Sequence, residues 1–279
     1  VPKDNGEREY FWSKFVSIAR RPSVGFVVSD PFLQMQYEYQ VGAPRLPAIR
    51  THALYTGATH FPERSSEVLV VDRPHECVLM CLIQRLLPAN EESDEWPTSE
   101  GRLRAAGSSA YPYRFITRSM TDRSFATFAK FRAVTLWPYD MDLITFYEFY
   151  AMTVPTFMPS QLPKYLFHQD HMEYDGRWWQ RTGEEGREPL WPDDNDSPFN
   201  ETALDSVVHT ATFTDYFRFP AVQYFDSIPD LIAKLPTTDY FEVVQAMTKY
   251  NQESLVQSVN AWRDILRRST GWDRDLLQL

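Results

Sequence analysis

Phe131-Arg132-Ala133-Val134-Thr135-Leu136-Trp137-Pro138-Tyr139-Asp140-Met141-Asp142-Leu143-Ile144-Thr145-Phe146-Tyr147-Glu148 reads as a strand, a polar loop and a helix. Ala133–Trp137 is a short apolar run of strand length, and the helix is expected from Asp142 to Met152. Val154-Pro155-Thr156-Phe157-Met158 follows as another strand. Two strands joined through a helix imply a parallel pair, which puts the loop Pro138–Asp142 at the carboxyl end of its strand. Ligands bind at that edge in open α/β sheets.

Upstream, Glu67-Val68-Leu69-Val70-Val71-Asp72 is the clearest buried strand in the chain. A helix carrying Cys77 and Cys81 is expected after it, to about Leu87, and then a polar, acidic loop from Asn90 to Gly107. Tyr113–Thr117 reads as a strand and Ser124–Phe131 as helical. Strands and helices alternating at this spacing predict an α/β chain with a Rossmann-like, doubly wound parallel sheet and helices on both faces. Downstream, Ala221–Phe225 is the last strand expected. Ser227 and Asp230 have the spacing of a capping box, and Asp239 and Glu242 repeat it. Leu255, Val259, Trp262 and Leu266 fall on one helical stripe.

Two stretches stand outside this alternation. Gln161–Phe219 loses the pattern and is expected to be an insertion at about 161–219 with an acidic tip, holding Trp178, Trp179 and Trp191. At the other end, residues 7–19 read as a helix and Val24–Ser29 as a short strand. Asp30 is placed to start a helix over Pro31–Tyr39 that ends near Gly42. Pro44-Arg45-Leu46-Pro47 is a stiff connector that marks a boundary. A domain boundary is therefore expected between residues 1–50 and residues 51–279.

The chain has 279 residues with 19 Phe, 15 Tyr, 8 Trp, 20 Pro and only 10 Gly, so it has ample apolar surface for a core. Its net charge of −10 disfavours broad contact with nucleic acid or anionic lipid. No apolar run is long enough to span a membrane. Against this acidic background, Arg114, Arg118, Arg123, Lys130 and Arg132 face only Asp122 between Tyr113 and Arg132. Such an island suits a small anionic ligand, or it is a solvated helix face. Cys77 and Cys81, four apart among apolar neighbours, read as buried thiols. The sequons Asn195-Asp196-Ser197 and Asn200-Glu201-Thr202 matter only on a secretory route. Glycine-rich phosphate loops, hydrolase elbows and zinc-protease motifs are absent from the sequence.

The string from Trp137-Pro138-Tyr139-Asp140 through Phe146-Tyr147-Glu148-Phe149-Tyr150-Ala151-Met152 to Val154-Pro155-Thr156-Phe157-Met158-Pro159-Ser160 resembles the donor-site segment of GT-B glycosyltransferases. The ending is similar to that of exostosin-like enzymes: Tyr224-Phe225-Asp226-Ser227-Ile228-Pro229-Asp230-Leu231, Met247–Asn251 and Trp262–Leu266. Tyr37–Gly42, Leu46-Pro47 and Tyr55-Thr56-Gly57 resemble the crossing from an acceptor domain into a donor domain. The resemblance implies a GT-B donor domain that takes a nucleotide sugar and passes the sugar to a glycan, glycoprotein or other hydroxyl acceptor, without a metal cofactor. Glu148 would hold the ribose, and Arg118, with Arg123 or Lys130, would meet the diphosphate. Tyr139, Asp140 and Tyr147 would complete the donor-binding set. The resemblance also implies that residues 1–50 are the terminal portion of a first α/β domain, most of which precedes Val1; an apolar anchor at its start would point to the Golgi or another secretory location. In GT-B enzymes the acceptor base comes from the first domain, so the resemblance leaves the base unassigned unless Asp30 or His52 serves.

Asp140-Met141-Asp142 has an alternative reading. A D-x-D triplet at a strand end binds Mn²⁺ and a donor diphosphate in GT-A enzymes, whereas here Asp142 also suits the N-cap of the next helix. His168 and His171 have a spacing that suits a metal on a helix but lack a third ligand, and Trp178-Trp179 could stack on a sugar or pack a core. A non-catalytic carbohydrate- or protein-binding module that keeps this fold is the rival from another class.

Overall fold

The valine-rich run at 68–71 lies at the heart of strand β1 (Arg64–Asp72). The computed structural model describes residues 10, 13–18, 21, 24–41, 46–72, 111–118, 121–138, 140–163 and 204–270. Strands β2 (Arg114–Thr117), β3 (Phe131–Trp137), β4 (Thr156–Pro159) and β5 (Gln223–Phe225) join β1 in one sheet of order β2-β1-β3-β4-β5. Every neighbouring pair is parallel, with Val68 set between Phe115 and Ala133. The sheet is thus α/β in class, as the alternation predicts. The cysteine helix, the loop 90–107, Tyr139, His168, His171, Trp178, Trp179 and the two sequons lie outside the described residues.

Parallel strands are covered on both faces, so their sequences run apolar without alternation. On one face Val68, Val70, Phe115, Ala133 and Trp137 pack with Phe157 and Phe225. Leu231 and Leu235 of helix α6 (Ile228–Thr237) close over that cluster. The alternate residues Leu69, Val134 and Leu136 point to the other face and are just as fully buried. Helix α3 (Ile144–Ala151) crosses from β3 to β4 with Phe146, Tyr147, Phe149 and Tyr150 buried. Phe219 meets three of these rings tilted or edge-on, 4.8 Å from Tyr150 between centroids, and the Tyr150 hydroxyl donates to Pro220 O at 2.8 Å. This cluster takes five of the chain's aromatic rings.

Caps set the helix starts. Asp30 Oδ1 accepts from Leu33 N at 2.9 Å and begins α1 (Pro31–Val41). Ser124 caps α2 (Phe125–Phe128), which is shorter than the helix expected through Phe131 because Phe131 is already in β3. Ser227 Oγ accepts from Asp230 N and starts α6. Asp239 Oδ1 accepts from Phe241 N and Glu242 N, both at 3.0 Å, before the helix Tyr240–Thr270. Two expectations need correction. Val24–Ser29 makes only an isolated parallel bridge, Val28 to Ala48; Pro47 can accept from Val28 N but has no N–H to extend the ladder. Asp142 is not the N-cap of α3: extended Leu143 takes that position without a side-chain cap. Burying Leu143 is worth about 1.5–3 kcal/mol, more than the ~1 kcal/mol typical of a cap.

The chain divides into two compact units. One comprises residues 1–51, 167–218 and 252–279; the other, which contains the whole sheet, comprises 52–166 and 219–251. The first unit holds α1 and the short helices α4 (Leu204–Ala211) and α5 (Asp215–Arg218). Helix α7 (Tyr240–Thr270) contributes its residues 240–251 to the sheet unit and 252–270 to the other. No helix among the described residues is long and apolar enough to cross a membrane.

Candidate functional site at the carboxyl edge of the sheet

The strand order reverses at β1, whose neighbours β2 and β3 leave in opposite directions. The crevice outside the carboxyl ends of β1 and β3 is therefore the expected ligand position for this topology. Arg118 follows the last residue of β2, and Asp140–Asp142 follow β3 after Trp137-Pro138. One strand separates β2 from β3, so these two carboxyl ends are about 10 Å apart across the sheet.

Arg118 packs on an aromatic ring. Its guanidinium lies 5.7 Å from the centre of the Phe128 ring. Its Nε is shielded from solvent without a hydrogen-bond partner, and no acid among the described residues pairs with it. Asp140 accepts from Met141 N at 2.7 Å. It is open to solvent, yet desolvation by the surrounding protein raises its pKa against the opposing hydrogen bonds from Met141 and Asp142 N–H. Among the described residues no three His, Cys, Asp or Glu side chains converge as a metal site.

The remaining sequence-predicted residues do not all gather here. Lys130 immediately precedes β3 and pairs with Glu63 at 2.9 Å. Seven residues of β3, about 23 Å, separate it from the Asp140 end. Tyr147 is buried between Phe146 and Phe219, at centroid distances of 5.6 and 5.9 Å, and packs the core. Arg123 sits at positive φ (60°) in the exposed turn that leads into α2, where Asp122 accepts from Ser124 and Thr127. The basic island is dispersed: Arg114 pairs with Glu67, and Arg132 lies over the Tyr240 ring at 3.9 Å. Tyr139 lies outside the described residues. Asp30 is buried and spent on its cap, with Ser29 Oγ donating to its second oxygen.

Glu148 is the fifth residue of α3, half-buried, and its Oε1 accepts a 2.8 Å hydrogen bond from the Tyr55 hydroxyl. Desolvation, then the hydrogen bond and the charge of Glu148, push the Tyr55 phenol up to about 12. Sequence reading did not single out Tyr55 as a site residue. It stood only within the Tyr55-Thr56-Gly57 string, and nothing local in that string points to α3. No family model, no curated protein and no solved structure matches the chain.

Proposed function

We propose that the chain is the nucleotide-sugar-binding part of a glycosyltransferase of the GT-B type, transferring a sugar to a hydroxyl acceptor such as a glycan. The observation that carries this reading is the doubly wound sheet whose switch point is flanked by Arg118 and the Asp140 loop, with a half-buried carboxylate on the next helix. In this reading Arg118 meets the diphosphate. A guanidinium about 4 Å from one phosphate charge is worth roughly 4 kcal/mol at an effective dielectric near 20. Glu148 accepts both ribose hydroxyls, since a carboxylate offers two oxygens and about four lone-pair directions.

Calorimetric titration with UDP and GDP, with and without Mn²⁺, tests the reading. Binding in the absence of metal is expected. No binding of either nucleotide at millimolar concentration overturns it, and binding strictly dependent on Mn²⁺ transfers the site to the Asp140-Met141-Asp142 triplet. Glu148→Ala is expected to weaken nucleotide binding about ten- to a hundredfold, since a hydrogen bond to a charged group is worth about 1.5–3 kcal/mol. Its circular dichroism should stay that of the parent.

A further inference from the structure

Tyr55 and Glu148 lie 93 residues apart in sequence and meet through a 2.8 Å hydrogen bond inside one unit. The turn that carries Tyr55 is firmly built. Leu54–Thr56 forms a 3₁₀ turn bracketed by two left-handed residues, Ala53 (φ 43°) and Gly57 (φ 57°). Thr56 N and Gly57 N donate back to Ala53 O and Leu54 O at 3.1 and 3.4 Å. Phe125 meets the Tyr55 ring edge-on, 5.9 Å between centroids. Tyr55 nevertheless keeps 62% of its surface in solvent. Glu148 Oε2 has no hydrogen-bond partner among the described residues.

We propose that Tyr55 is a positioning residue for ligand binding: its hydroxyl fixes Glu148 through Oε1, so that Oε2 and the remaining lone pair of Oε1 face a vicinal diol. The inference rests on the donor-site reading above and extends it to the selection of ribose over deoxyribose. A free glutamate has three rotatable bonds, and a ligand that must freeze them loses affinity in doing so. Tyr55 freezes them beforehand. The same phenol would obstruct the site if a ligand had to displace it from Glu148, and the two roles predict opposite signs on removal of the hydroxyl.

The test is titration calorimetry of the wild-type chain, Tyr55→Phe and Glu148→Gln with UDP, GDP and their 2′-deoxy analogues. The wild type is expected to prefer the ribonucleotide about tenfold, the scale set by one hydrogen bond to a charged group. Tyr55→Phe should weaken ribonucleotide binding several-fold and cut the preference to about twofold, with an unchanged thermal midpoint. Glu148→Gln should lose the preference. Tyr55→Phe that retains both affinity and preference, or binds more tightly, overturns the positioning role while leaving the donor reading intact. Failure of the wild type to bind any of the four nucleotides overturns the donor reading and this inference with it.

Discussion

Thr153 occupies the position after α3 that helices commonly give to glycine. Val154 N donates to Phe149 O and Thr153 N to Tyr150 O, both at 3.0 Å, the paired bonds of a Schellman end. That geometry needs a left-handed residue, and Thr153 supplies it at φ 60° despite its branched Cβ. The residue is buried, and its hydroxyl has no hydrogen-bond partner among the described residues. A left-handed conformation costs a branched residue about 1–2 kcal/mol, and an unpaired buried hydroxyl about 1–3 kcal/mol more. Thr153→Gly gives back part of this, offset by roughly 0.5–1 kcal/mol of glycine's extra freedom when unfolded. The net expectation is a gain of about 1 kcal/mol, read from urea denaturation; a loss would show that the threonine methyl packs better than its backbone strain costs. The turn matters to the site because it sets where α3 ends, one turn below Glu148. At this scale sequence reading is uneven. Asp30, Ser227 and Asp239 announce their caps because capping is local chemistry. Tyr55 cannot announce Glu148, because nothing local encodes a contact 93 residues away.

At the scale of elements, α7 separates helix formation from helix orientation. The stripe Leu255, Val259, Trp262 and Leu266 marks a helix, and the helix is there. Its outer members are not core, however: Val259, Trp262 and Leu266 are 39%, 46% and 39% exposed. The buried side carries Val243 and Met247 in the sheet unit and Ser254 and Ser258 in the other, with Arg50 donating to Ser254 Oγ. Periodicity reports an apolar stripe, but small polar residues that allow close approach leave no apolar signal. Met247→Ala should therefore cost about 2–5 kcal/mol by leaving a cavity in a fully buried position. Trp262→Ala should cost under about 1 kcal/mol, since much of the ring is already wet. Equal midpoints for the two variants in guanidinium would contradict this assignment of faces. The strands were easier to read than this helix. Burial on both faces of a parallel sheet writes continuous β-branched and leucine runs at Val68–Val71 and Ala133–Leu136. The order of strand, loop and helix then placed the loop Pro138–Asp142 at the carboxyl edge. It could not show that Lys130 lies a strand's length away or that Tyr147 faces inward, since both depend on register and helix rotation.

For the molecule as a whole, the fold carries a pH dependence that its net charge does not explain. His60 ties the segment before β1 to the sheet unit, with its backbone N–H donating to Met152 O at 2.7 Å and its Nε2 3.0 Å from Phe131 O. Desolvation is the main force that lowers its pKa; the Arg132 charge adds to the lowering, while the hydrogen bond to Phe131 O opposes it. The folded chain thus releases the His60 proton at a lower pH than the unfolded chain, whose histidine titrates near 6.5. Between those two values the unfolded state binds more protons, so stability rises with pH across the window and falls as pH drops through it. Asp140 works in the other direction at more acidic pH. Its raised pKa means that the folded state holds the proton longer, so ionising it removes stability as pH rises through its own window. Thermal midpoints measured from pH 8 down to pH 5 should therefore fall below about pH 6.5. His60→Gln, which keeps an amide donor for Phe131 O, should flatten that decline relative to the wild type. A variant whose midpoint falls in parallel with the wild type would assign the pH dependence to other histidines. Because the same segment carries Tyr55 five residues before His60, loosening it should also weaken the Tyr55–Glu148 contact. Under the donor-site proposal, any loss of nucleotide affinity below about pH 6.5 that comes from this segment should be smaller in His60→Gln than in the wild type.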